Sequence, residues 1–295
     1  MFYAKKDARL SWSGALEGAK LGGTSEDLEA IEPFMVALRA IASITDRKLA
    51  EFGLALLDAL ESGATLPPPM ALDRRRQVLL VEFGDAVRRR HGREVASTSD
   101  DVLTELRANA PLRRELRSLL DALSTRVVGL APTPTIAVPP EVPLALHRVY
   151  TRRQLFAAFG WESIWSATPQ SGVAWIPSHS AYLMLVTLEK DAETFTERTR
   201  YRDYAISPSV FHWQSQASAR PDRGDGQRIV RAKDGEGTMW LFVRRSTDDE
   251  FGTEPYVFMG AYTPTSIEGM RPMSVTGDLA NAMPAEWFDV AARAR

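Results

Sequence analysis

A proline-rich stretch, LAPTPTIAVPPEVPLALH at residues 130–147, carries five prolines and divides the chain. Proline has no backbone donor and disfavours helix in the residue before it, so the stretch reads as an extended linker. The two sides also differ in composition. Six of the 26 aromatic residues lie before residue 145 and twenty lie after it. A shift that sharp predicts two architectures. The length of 295 residues accommodates one large domain or two of ordinary size. The expected parts are a helical bundle over 20–130 and a mostly β domain with one N-terminal helix over 145–292.

Helical periodicity fills the first part. Leu28, Ile31, Met35, Leu38 and Ile41 recur at helical spacing over 25–43, after a Thr24/Ser25 cap. Leu49, Phe52, Leu56, Leu57 and Leu60 do the same over 46–61, and Gly63 ends that helix. Further helices are predicted over 73–91, 99–108 and 111–126.

The second part opens with a helix signed by a capping box, Thr151 with Gln154, and closed by Gly160. Strand-like segments follow: AYLMLVTL, SVFHWQSQ, QRIVRAK, TMWLFVRR, PYVFMGAY and RPMSVTGDL. DGEG between QRIVRAK and TMWLFVRR is a hairpin signal. The predicted fold class is α+β, with an antiparallel sheet that is strongly curved or closed as a barrel.

Bulk properties exclude several function classes. A net charge of −2 draws the chain to neither nucleic acid nor anionic membrane, so a nucleic-acid contact needs a local basic patch. No apolar run has the length of a membrane span, and MFYAKKDARLSWSG lacks a signal core. The absence of cysteine excludes disulfides and cysteine zinc sites and fits a reducing, cytoplasmic setting. His91, His147, His179 and His212 show no ligand spacing, so neither a metal nor another cofactor is implied.

The row FHWQSQ at 211–216 is the leading candidate for recognition chemistry. On a strand, Phe211, Trp213 and Ser215 share one face and His212, Gln214 and Gln216 the other. Trp213 would stack on a base or sugar while Gln214 or Gln216 bonds the base edge. The other reading makes Phe211 and Trp213 core and leaves the amides in water. Arginines 74, 75, 76, 88, 89, 90 and 93 outnumber the acids Asp73, Glu82 and Asp85, leaving +4 over 73–93. That stripe would follow a phosphate backbone, form a solvated face, or pair with the acidic helix at 26–32. Glu193, Glu197 and Asp203 are the carboxylates a metal-dependent nuclease would use. RGDGQR and DGEG read as glycine turns that precede no helix, and no hydrolase elbow or ATPase motif is present.

The order LHRVYTRRQLFAAFG, LMLVTLEK, FTERTRYRDYAISPSVFHWQSQ, GQRIV, MWLFVRR, PYVFMGAY, SIEGMRPMSV resembles an uncharacterised bacterial domain over roughly 110–287. That domain sits at the C-terminus of superfamily-two helicases, often with a phospholipase-D-type nuclease. The matching positions are Phe211, His212, Trp213, Gln214, Ser215, Gln216, Gly226, Leu241, Phe242, Val243, Arg244, Glu268, Gly269, Pro272 and Met273.

The resemblance implies a DNA-binding or modification-sensing role in restriction or anti-phage defence, with no catalytic residue to carry over. Its alternatives are a module docking a helicase or nuclease partner, and a metal-dependent nuclease. Arg200, Arg202, Arg244 and Arg245 are the expected phosphate contacts, beside Tyr201 and Tyr204; if Arg244 is one, Arg245 faces the other way along the strand. Helicase and nuclease segments are missing, so the chain reads as a stand-alone relative, a subunit of a separate motor, or a piece of a longer protein.

Overall fold

The structure is a computed structural model that describes residues 25–64, 70–92, 94, 96–125, 131–189, 202–249 and 252–294. The chain divides into two compact units. One comprises residues up to 130 with 140–144 and 149–168; the other comprises 131–139, 145–148 and 169 onward.

The first unit is helical. Its helices are α1 (Ser25–Ile31), α2 (Met35–Ala42), α3 (Arg47–Ser62), α4 (Met70–Leu80), α5 (Gly84–Arg90), α6 (Ser99–Ala108), α7 (Ala110–Thr125) and α8 (Arg152–Ala158). The expected helix over 25–43 is interrupted by a 3-10 turn, Glu32–Phe34, because Pro33 cannot donate to the helical ladder. Asp46 caps α3 by accepting from the backbone N–H groups of Lys48 and Leu49, and Gly63 leaves the helix at φ +67°. Helix α7 lies against α1, α2, α3 and α6.

The α8 segment is held by polar side chains of the same unit. Tyr150 Oη donates to Asp46 Oδ2 at 2.7 Å. Both arms of the Thr151/Gln154 capping box are formed, and the Thr151 hydroxyl also donates to Glu82. Desolvation raises the Glu82 carboxyl above the usual carboxylate range, against the lowering effects of Thr151 and Arg153. Leu155, Phe156 and Phe159 are fully buried.

The second unit is built on an open sheet. Its strands are β1 (Val173–Ile176), β2 (Ala181–Thr187), β3 (Tyr204–Ser207), β4 (Val210–Gln214), β5 (Thr238–Arg244), β6 (Tyr256–Glu268) and β7 (Ser274–Leu279). They follow one another in the order β1-β2-β5-β6-β7-β4-β3. All these pairs are antiparallel except β2 with β5.

The order has two ends, so of the two expected forms, strongly curved or closed as a barrel, the closed barrel is corrected to an unclosed sheet. One end strand, β3, has only four residues, and the C-terminal helix α10 (Ala285–Arg293) lies against it.

A second correction concerns QRIVRAK, read as a strand. It lies in a helix, α9 (Gly224–Lys233), which buries Gly226, Ile229 and Ala232 at helical spacing. RGDGQR therefore does open a helix. Gly226 permits it, because a Cβ there would sit 2.0 Å from the Arg220 carbonyl oxygen.

Burial varies across the sheet. Strand β2 is buried throughout, and β5 along all but its first residue. Strands β4 and β7 alternate, with one face inward. No helix among the described residues is long and apolar enough to cross a membrane.

Candidate functional site

The alternation of β4 sorts the row at 211–216. Phe211 and Ser215 have no exposed surface and Trp213 has 4%. These three face inward. Trp213 pairs in register with Val275, which is also fully buried. The ring of Trp213 is core, and the stacking role passes to no residue on that face.

Beneath the strands, Tyr262 Oη lies 3.3 Å from the carbonyl oxygens of Phe211 and Val275, so its proton bridges β4 and β7. Burial pushes the Tyr262 hydroxyl far above its ordinary value. Gly277 makes room for this ring, since a Cβ there would stand 2.5 Å from Tyr262 Cζ.

The opposite face of β3, β4, β7 and the end of β6 is mostly polar, with Ile206 exposed on β3 and Val210 at the start of β4. Register aligns Tyr204 with His212, His212 with Thr276, and Thr276 with Ser266. It aligns Gln214 with Ser274, and Ser274 with Glu268. Tyr204 and His212 stack, with ring centroids 4.6 Å apart and planes 16° from parallel.

His212 Nδ1 lies 3.0 Å from the Arg202 carbonyl oxygen, an acceptor, so Nδ1 carries a proton. In the neutral ring Nε2 then accepts from Ser274 Oγ at 2.7 Å.

Gln214 is oriented just as firmly. Its Oε1 accepts from the Arg202 backbone N–H at 2.9 Å, and its own backbone N–H donates to Asp203 Oδ1 at 2.9 Å. With the amide oxygen committed to an N–H, the NH2 end is turned away and offers two donors. Arg202 is exposed, and so is Arg271 just before β7. One end of the polar face thus gathers two exposed arginine residues and an aligned amide donor. Ser215 fixes the neighbouring loop: its backbone N–H donates to the Met273 carbonyl at 2.9 Å, and its Oγ accepts from Met273 N–H at 2.9 Å.

Arg244, expected on phosphate, is a structural arginine with 8% exposure. Its Nε donates to Thr187 Oγ1 at 2.9 Å and its Nη1 to the carbonyls of Thr247 and Glu254, at 3.1 and 3.3 Å. The guanidinium lies 4.7 Å from the Tyr256 ring centroid. Arg245, facing the other way, is exposed. Tyr201 and Arg200 lie outside the described residues, as do Glu193 and Glu197. Asp203 is buried, and among the described residues no three His, Cys, Asp or Glu side chains cluster as a metal site.

The arginine stripe of the helical unit is partly absorbed internally. Arg74 donates to the Ala158 carbonyl at 3.1 Å, and Arg90 pairs with Glu105 at 3.3 Å. Acidic α1 is met by a different arginine, Arg114, which pairs with Asp27 at 2.8 Å.

Arg271, Met270 and Ser274 escaped the reading of the sequence. The motif EGMRPM was visible in it, but only strand register places this loop beside Gln214. Residues 144–289 match a known protein family. That family is described as a domain of unknown function, DUF3427. No curated protein matches the chain. The DUF3427 stretch contributes to both compact units: its residues 149–168 fold with the helical unit and its residues from 169 onward with the sheet unit.

Proposed function

We propose that the chain is a DNA-binding module that senses a feature of DNA, such as a modified base, within a bacterial restriction or anti-phage system. The defence setting rests on the resemblance to helicase-borne domains. The DNA contact is supported by the register at one end of the polar face: exposed Arg202 donates its backbone N–H to Gln214, and Gln214 aligns with Ser274, three residues after exposed Arg271. Guanidinium groups suit phosphate oxygens, and a fixed amide NH2 suits an acceptor on a base edge. The large exposed apolar residues Val36, Ile136, Ile206 and Met270 sit on separate elements, which favours DNA over an apolar protein-docking patch.

The test is binding of the full chain to labelled duplexes, unmodified and modified, and to single strands, across a salt series. Each phosphate contact contributes about 0.9 to the slope of log affinity against log salt. Replacing both Arg202 and Arg271 by alanine is expected to lower that slope by about 2. Gln214→Ala is expected to cost about 1–3 kcal/mol on the preferred sequence and to relax preference. Absence of binding at low salt refutes the proposal.

A further inference from the structure

We propose that Met270 is a wedge that inserts between base pairs of a bound DNA duplex. The inference rests on the DNA reading above and deepens it. The loop between β6 and β7 contains two methionines with opposite fates. Met273 is fully buried and locked to Ser215 through both of its backbone groups. Met270, three residues earlier, is 61% exposed, the most exposed of the large apolar residues described.

The loop is short and fixed at both ends. Glu268 closes β6 in register with Ser274, and Gly269 turns the chain at φ +72°. Ser215 itself has no exposed surface. The tip is therefore an apolar side chain presented on an anchored hairpin.

Its surroundings indicate the occupant. Arg271 follows it directly. Ser274 aligns with Gln214, whose amide bonds the backbone of Arg202. An apolar tip followed directly by exposed Arg271, with a second exposed arginine, Arg202, joined through its backbone to the strand paired with this loop's exit, matches a duplex groove, where cations meet phosphates and an apolar residue enters a base step. Wedges of this kind unstack one step and bend the duplex by roughly 20–90°. Methionine suits the task because its unbranched thioether adapts to an irregular gap.

The experiment uses the full chain and duplexes carrying a single 2-aminopurine at a flexible pyrimidine–purine step, with a donor and an acceptor dye on the two ends. Binding of the unaltered chain is expected to raise 2-aminopurine fluorescence and shorten the end-to-end distance. Met270→Ala is expected to abolish both signals, to weaken binding by about tenfold or less, and to leave the melting temperature unchanged because the side chain is exposed. Met270→Leu is expected to preserve both signals. Binding without a fluorescence rise at any step, or a Met270→Ala chain that unstacks and bends like the unaltered one, overturns the wedge and leaves the DNA reading standing. No binding to any duplex overturns both.

Discussion

Replacing Trp213 by alanine separates a core role from a recognition role. The residue is 4% exposed and faces Val275, which is fully buried, so little surrounding structure can collapse into the space it leaves. Truncating a buried tryptophan costs about 3–5 kcal/mol. A urea slope near the upper end of the usual 1–3 kcal/mol/M gives a midpoint lower by about 1–2 M. Gln214, the next residue, points to the other face and loses one amide bond to Arg202 when truncated, roughly 0.5–1.5 kcal/mol. Urea titrations of both variants followed by far-ultraviolet circular dichroism measure this contrast. On the proposed DNA-binding reading, the DNA affinity of Trp213→Ala, taken well below its transition, is expected to stay within about 1 kcal/mol of the unaltered chain, below the usual 1–3 kcal/mol worth of a stacking residue. The reasoning is refuted if Trp213→Ala unfolds at the same urea concentration as the unaltered chain while losing DNA binding.

Two further outcomes are expected. Arg244→Met removes a guanidinium that serves Thr187, two carbonyl oxygens and the Tyr256 ring, and is expected to destabilise by about 2–4 kcal/mol without changing DNA affinity of the folded chain. Glu82→Gln keeps an oxygen to accept from Thr151 and removes a carboxyl whose folded pKa is raised. The stability that Glu82 contributes is present below its unfolded pKa of about 4.3 and is lost as pH rises through the folded pKa. Thermal melts of the two chains are therefore expected to diverge in favour of Glu82→Gln as pH rises above about 4.3.

Local signals carried much of the fold. The capping box of Thr151 and Gln154 and the left-handed Gly63 were readable because caps depend on a few adjacent residues. Pro33 broke a continuous periodic pattern, and periodicity alone does not register a missing donor. In QRIVRAK, adjacent Ile229 and Val230 mimic a strand, and the small residues Gly226 and Ala232 conceal the helical stripe. Arg244 misled because strand alternation predicts one wet face. Strand β5, between β2 and β6, is covered on both, so Val243 and Arg244 are buried together.

The candidate site was half legible. Alternation separated Phe211, Trp213 and Ser215 from His212 and Gln214, but the choice of inward face depends on what covers the sheet. Pairings such as Gln214 with Ser274 join residues sixty positions apart, and no local pattern encodes them.

The uneven burial of the sheet also sets how it opens. Backbone amides of β2, β5 and the first half of β6 lie between covered faces, whereas β3 is a four-residue end strand. Amide hydrogen exchange should accordingly be slowest along the β2–β5–β6 spine and fastest along β3, with β4 between them. The polar face thus stands on the less covered end of the sheet. A ligand seated there would slow exchange in β3 and β4 first, well before the spine responded.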